Sequence, residues 1–268
     1  MAAQALPGSR LDAALKILIL GANGMLGPWV IPALESRHEL VLTDIVPPKA
    51  KTAHEFRRVD AGVLDEVVAA AEGVDCILNL SVLRWDRKLA FDVSTRGNYN
   101  IAEAAVRHGV RRVINTGPHY QLAGPTYEDF DFGLHSDMPP QPGTRLYALT
   151  KALGQEILRV YADRYDFYLQ TLLFCNFYDP TTLARPEGGF GAPGGDLWPF
   201  SVAWQDAGDA VRLAVEIELD RLPSRCETYD IFTDLPHGRY LNSKARQQLG
   251  WQPRHFLETI WAGRSAGD

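Results

Sequence analysis

The chain has few of the residues that build covalent or metal-bound frameworks. Its three cysteines, Cys76, Cys175 and Cys226, stand singly without CxxC spacing, so neither a disulfide scaffold nor a zinc site is expected. Each reads as a small buried hydrophobe. The seven histidines include no HxxxH or HxxEH pair, which leaves metal catalysis without ligands. No apolar run approaches the roughly 18 residues of a membrane span. Nor does any basic run follow the pattern of a phosphate backbone, and with 27 basic against 33 acidic residues the net charge is −6; no nucleic-acid partner is expected. The opening MAAQALPGSRLDAAL lacks a basic n-region and a long apolar h-region. Residues 1–14 therefore read as a flexible leader, and the protein as cytoplasmic with no membrane partner.

What is present is ordinary for a globular chain: 268 residues, 46% hydrophobic and 22% charged, enough for one elaborated domain. KILIL (16–20) is a short apolar run followed at once by glycines, the pattern of a buried strand. A helix to about Ser36 follows, with Pro28 tolerated near its start and Pro32 expected to kink it. The alternation continues through ELVLTDI, FRRVDA, the helix LDEVVAAAEG, DCILNLSV, a helix from Phe91 to His108 ended by Gly109, and RRVINTG. Residues 118–144 read as an irregular loop, and a helix then runs from about Leu146 to Tyr165. FYLQTLLFCNF makes another strand. Residues 181–199, with five glycines and three prolines, read as a loop or lid. A helix from Ala207 to Leu219, the strand TYDIFT and a helix in SKARQQLG complete the chain. Alternating strands and helices predict an α/β fold, a parallel sheet with helices on both faces.

Gly21-Ala-Asn-Gly24-Met-Leu-Gly27 spells GxxGxxG between the first strand and first helix. Glycines at that place allow a tight turn and a close approach of backbone to a pyrophosphate, which the helix N-terminus favours electrostatically. Asp44 follows 23 residues after Gly21, at the end of the second strand. A carboxylate there accepts from both ribose hydroxyls and repels a 2′-phosphate, so NAD is expected over NADP. Asp60 could accept from an adenine amino group or serve as a turn or helix-capping aspartate; spacing alone supports both.

Tyr147-Ala-Leu-Thr-Lys151 places a phenol and an ammonium four residues apart on one helix face. A phenol is a poor base at neutral pH, and a fixed cation stabilises its phenolate. Together with GANGMLG, VLTDI, Asp60, NLSV (79–82), RGNYNIAEAAVRHGVRRVI, LLFCNFYDP, QDAGDAVRLA and NSKARQQLGW, this segment resembles the extended short-chain dehydrogenase/reductase family, the NAD-dependent epimerase/dehydratase group. The resemblance runs from about Lys16 to Trp251.

The resemblance implies a Rossmann doubly wound parallel sheet with a small C-terminal substrate-binding portion. Residues 15–176 would form the NAD-binding domain and 177–268 the smaller portion, with about 200–232 returning to the sheet. It implies NAD contacts from Gly21, Asn23, Gly24, Met25, Leu26, Gly27, Asp44, Ile45, Asp60, Ala61, Leu80, Ser81, Val82, Tyr147, Lys151 and Cys175. Tyr147 would transfer the proton and Lys151 would be its electrostatic partner. The family's strand-five serine or threonine pair reads Thr116-Gly117 here, so Thr116 or His119 would have to supply the missing hydroxyl function. The dehydratases' Thr-Asp-Glu set is absent, which disfavours dehydration, and the arginine usual before the strand-six asparagine is replaced by Leu173.

Only 92 residues follow Asn176, little for a nucleotide cradle. That length, His119 and Arg185 resemble the small uronate-dehydrogenase-type members, in which a corresponding arginine holds a carboxylate; the glycine-rich stretch after Arg185 departs from them. The expected function is NAD-dependent oxidation of a hydroxyl on a small carbohydrate, a sugar acid included, by a homodimer. Thr116 and His119 would orient the reacting oxygen, while Arg84, Gly117, Asn176 and Arg185 would line the rest of the substrate site. The alternatives are a nucleotide-sugar epimerase or keto-sugar reductase, since GANGMLG also looks like the dTDP-keto-sugar reductases, and an NAD-binding regulatory protein with weakened catalysis.

Overall fold

The structure, a computed structural model, describes residues 11–49, 51–119, 135–180, 201–234 and 242–255. Seven parallel strands form one sheet: β1 (Lys16–Leu20), β2 (Glu39–Asp44), β3 (Glu55–Arg58), β4 (Cys76–Asn79), β5 (Arg112–Pro118), β6 (Tyr168–Phe174) and β9 (Cys226–Asp230). Their order is β3-β2-β1-β4-β5-β6-β9. A separate parallel pair joins β7 (Asn176–Tyr178) to β8 (Ser201–Ala203).

The period-2 alternation of KILIL decides which helices cover which face. Ile17 and Ile19 point to α1 (Gly27–Leu34) and α6 (Trp204–Glu216), in a cluster closed by the buried Trp251. Leu18 and Leu20 point the other way, toward α2 (Leu64–Ala70), α4 (Gly97–His108) and α5 (Leu146–Arg164). Strands apolar on both sides need helices on both sides, and each fully buried aliphatic side chain contributes about 1.5–3 kcal/mol.

Several boundaries differ from the sequence reading. Helix α1 stops at Leu34 with Pro32 inside its last turn, eight residues long rather than reaching Ser36. The helix expected from Phe91 starts earlier, at α3 (Arg87–Ala90), where the Asp86 carboxylate caps it by accepting from Leu89 N. It passes through a π-helical segment, Phe91–Arg96, into α4. Helix α6 begins at Trp204, directly after β8, and ends at Glu216, three residues before the expected end at Leu219, because Ile217 turns extended. The expected helix in SKARQQLG is a π turn over Ala245–Leu249, closed by Gly250 at φ +68°. The loop expected at 181–199 and most of that at 118–144 lie outside the described residues. Among the described residues no helix is long and apolar enough to cross a membrane.

Two close approaches shape the carboxyl end of the sheet. The chain winds outward from β1 to β3 and then restarts on the other side at β4, so a crevice opens where the carboxyl ends of β1 and β4 part. Gly154 lets α5 lie directly on the π segment: a β-carbon there would fall 2.1 Å from Ser94 O and 2.2 Å from Asn98 Nδ2. The Thr95 hydroxyl donates to Thr150 O across the same seam (3.1 Å). That contact brings Tyr147 and Lys151 to the rim of the crevice.

Candidate active site

The glycine turn occupies the start of the crevice. Gly21 has φ +77°, and its main-chain N–H and that of Ala22 both donate to Thr43 O at 3.0 and 2.9 Å, tying the turn to β2. A β-carbon on Gly21 would sit 2.6 Å from Ser81 Cα; one on Gly27 would sit 1.9 Å from Ala22 O. No side chain fits at either place, so the turn lies tight against the β4 loop and α1 tight against the turn. Asn23 N donates to Asp44 Oδ2 (3.1 Å) and Asn23 Nδ2 to Val46 O (2.6 Å), which aims the Asp44 carboxylate along the crevice.

A cavity of 160 Å³ opens there, and nine of the sequence-predicted residues line it: Gly21, Gly24, Asp44, Ile45, Asp60, Ala61, Leu80, Ser81 and Val82. Asp60 has a turn role as well, since its Oδ1 accepts from Gly62 N (2.8 Å). Glycines without room for a β-carbon, a carboxylate at the end of β2 and an apolar slot beside it fit a dinucleotide's pyrophosphate, ribose and adenine.

Leu80, Val82 and Leu83 are shared with a second cavity of 320 Å³, whose wall includes Met25, Leu26, Arg84, Thr116, Gly117, Tyr147, Lys151 and Cys175. Lys151 is buried. Its Nζ donates to Ser81 O (2.8 Å) and Thr116 O (3.0 Å), bridging the ends of β4 and β5. Burial, with the Arg84 charge adding to it, pushes its ammonium down to about 7. Burial also pushes the Tyr147 phenol above its ordinary range, while the Arg84 guanidinium works in the opposite direction.

The other predicted residues are placed differently. The Thr116 hydroxyl donates to Asn79 O (2.9 Å), which leaves it acceptor capacity. Gly117 lines the cavity without a side chain. His119 does not line either cavity: it is buried, its Nδ1 lies 3.0 Å from Asp230 Oδ1 on β9, and its ring meets Phe232 edge-on. Asn176 Nδ2 donates to Ser201 Oγ (3.2 Å) in the β7–β8 pair, also outside the cavity lining. Arg185 lies outside the described residues.

Sequence reasoning missed the support beneath these residues. Asn79 Nδ2 donates to Asn98 Oδ1 (2.8 Å) and Asn115 Oδ1 (3.1 Å), and Asn79 Oδ1 accepts from Ser81 N and Oγ. The network fixes the β4 loop on which Lys151 rests. Its signal in the sequence is an asparagine directly after an apolar run in each of two neighbouring strands, CILN and RVIN. Also missed were the apolar wall of Phe174 and Phe177 and the exposed Trp85.

The model of the NAD dependent epimerase/dehydratase family matches residues 17–189. The chain belongs to this family. Family members are NAD-dependent dehydrogenases and epimerases. A uronate dehydrogenase from Pseudomonas syringae pv. tomato is 32% identical over 155 residues, 56% of this chain and 55% of that protein. GDP-mannose 3,5-epimerase 1 from Oryza sativa subsp. japonica is 26% identical over 184 residues, 62% of this chain and 47% of that protein. The chain thus spans about half the length of these family relatives. Among solved structures, a uronate dehydrogenase from Agrobacterium tumefaciens, a mutant complexed with NAD, superposes with a TM-score of 0.74 at 20% identity, covering 96% of this chain and 91% of that one. At that identity the likeness concerns the fold.

Proposed function

We propose that this family member oxidises a hydroxyl of a small carbohydrate, a sugar acid, with NAD. The observation that carries the reading is the convergence of Tyr147, Lys151 and the Thr116–Gly117 strand end on one 320 Å³ cavity that adjoins the glycine turn. The similarity to uronate dehydrogenases supports the sugar-acid substrate class.

In this reading Gly21, Gly24 and Asp44 hold the pyrophosphate and adenosine ribose. When bound, NAD supplies the acceptor for the hydride. The chain's own residues handle the proton. Tyr147 takes it from the substrate hydroxyl, and Lys151 favours the phenolate that does so. Thr116, whose hydroxyl hydrogen goes to Asn79 O in this structure, orients the reacting oxygen by turning that hydrogen toward it. The buried Asn79 network holds both strand ends still, so that the reacting groups keep their separation. His119, facing Asp230, supports the end of β5 rather than touching the substrate. Asn176 and Arg185 remain proposed contacts to the rest of the sugar.

The test is NADH formation with free sugar acids, neutral sugars and nucleotide sugars. Wild type is expected to reduce NAD with a sugar acid, and Tyr147→Phe to lose roughly 10²–10⁴ in kcat with the melting temperature and NAD affinity unchanged. Full activity in Tyr147→Phe would refute the assignment. A nucleotide-sugar substrate is the second reading, favoured by the GDP-mannose epimerase similarity. A nucleotide sugar that raises the melting temperature in the presence of NAD, where sugar acids do not, selects it.

A further inference from the structure

The larger cavity is lined by two side chains that carry positive charge, Arg84 and Lys151, and among its described lining residues there is no Asp or Glu. The two cations are placed differently. Lys151 is buried, with its Nζ spent on two carbonyls, and its ammonium titrates near neutrality. Arg84 is exposed on the loop after β4 and presents a planar guanidinium. Its guanidinium carbon lies 4.9 Å from the centroid of the Tyr147 ring. The acids that follow Arg84 in the chain are engaged elsewhere: Asp86 caps α3, and Asp92 pairs with Lys88 and Arg96. Among the described residues, Arg84 therefore lies against the phenol and pairs with no carboxylate.

We propose that Arg84 is a positioning residue for proton transfer: its guanidinium, seated on the face of Tyr147, stabilises the deprotonated ring that receives the proton of the substrate hydroxyl. A cation over an aromatic face is attracted to the ring, and far more strongly once the ring carries negative charge. The described charged or titratable groups that share the cavity wall with Tyr147 are Arg84 from the β4 loop, Lys151 from its own helix and Cys175 after β6, and of these Arg84 and Cys175 act on the phenol. Burial and Cys175 keep the phenol protonated; Arg84 opposes them. Burial pushes the Lys151 ammonium down to about 7, which leaves the Arg84 guanidinium as the other described cation on the cavity wall.

The inference rests on Tyr147 as the proton acceptor, and its test is read without substrate. Tyrosinate absorbance is titrated in wild type, Arg84→Met and Arg84→Lys, each minus its Tyr147→Phe counterpart to isolate one phenol among ten. The Tyr147 midpoint is expected to rise by about one pH unit in Arg84→Met and to recover partly in Arg84→Lys. The acidic limb of the kcat/KM profile should move with it. An unmoved midpoint overturns the proposal. So does an unmoved midpoint accompanied by a raised KM for sugar acids at constant kcat, which would make Arg84 an anion-docking residue instead. A shifted midpoint in a protein that oxidises no sugar upholds the Arg84–Tyr147 coupling and removes the substrate reading.

Discussion

The two ends of the sheet treat charge in opposite ways. At the amino ends of the strands a cluster of charges is matched, although the buried Arg112 rests on Ala214 O. The buried Glu216 carboxylate meets Arg212 Nη1 at 2.6 Å, Arg37 Nη1 at 3.2 Å and His38 Nε2 at 3.6 Å, while Lys16 pairs with Glu39. Arg37 also reaches Leu11 O, and Leu11 N donates to Glu216 O, so this end ties the start of the described chain to the end of α6. At the carboxyl ends, Lys151 is held by neutral carbonyls and Arg84 by an aromatic ring, and among the described residues no carboxylate lines the cavity beside them. Matched charge stabilises a fold and leaves nothing over. Charge held by neutral groups keeps its field available to a ligand or a reacting proton, which is the condition a catalytic site needs.

Breaking the matched end should cost stability and little else. Glu216→Ala removes the buried carboxylate that Arg37, Arg212 and His38 share, and is expected to lower unfolding stability by about 3 kcal/mol in denaturant titration, with NAD affinity unchanged. Breaking the open end should do the reverse. Asp44→Ala removes the crevice carboxylate and is expected to weaken NAD binding about tenfold by calorimetry, close to 1.4 kcal/mol, with the melting temperature held. If Asp44→Ala unfolded the protein and Glu216→Ala abolished cofactor binding, the contrast between the ends would fail.

The smallest effect sharpens the contrast through pH. His38 Nδ1 accepts from Leu15 N (3.2 Å), which requires the neutral ring, and burial holds its pKa below the usual histidine value against the pull of Glu216. The unfolded chain then binds the proton first as pH falls, so stability from His38 is present above about pH 6.5 and is lost as pH drops toward the folded value. Denaturant titrations at successively lower pH should show a shallower loss in His38→Gln than in wild type.

Much of the site was legible because its signals are local. A glycine turn after an apolar strand, an acid at the end of the next strand and a Tyr–Lys pair one helical turn apart are spacings along the chain, and local backbone geometry turns them into positions. The partners were not legible. Asn79, Asn98 and Asn115 come from three separate elements and meet only after β4, β5 and α4 pack. His119 has the same sequence context whether it faces a substrate or a buried acid, and the choice belongs to Asp230, 111 residues away. The helix boundaries that shifted did so where packing or a neighbouring strand set the start, as at Trp204 directly after β8.

By itself the sequence determined the order of strands and helices, the turn that needs glycine at 21 and 27, and the spacing that puts Tyr147 and Lys151 on one face. Those follow from periodicity and from steric limits on single residues. Tertiary structure decided which charges are neutralised and which stay open. It folded Arg84 onto Tyr147 and turned His119 toward Asp230. Such pairings depend on distances between elements far apart in the chain, set by how the helices seat on the sheet.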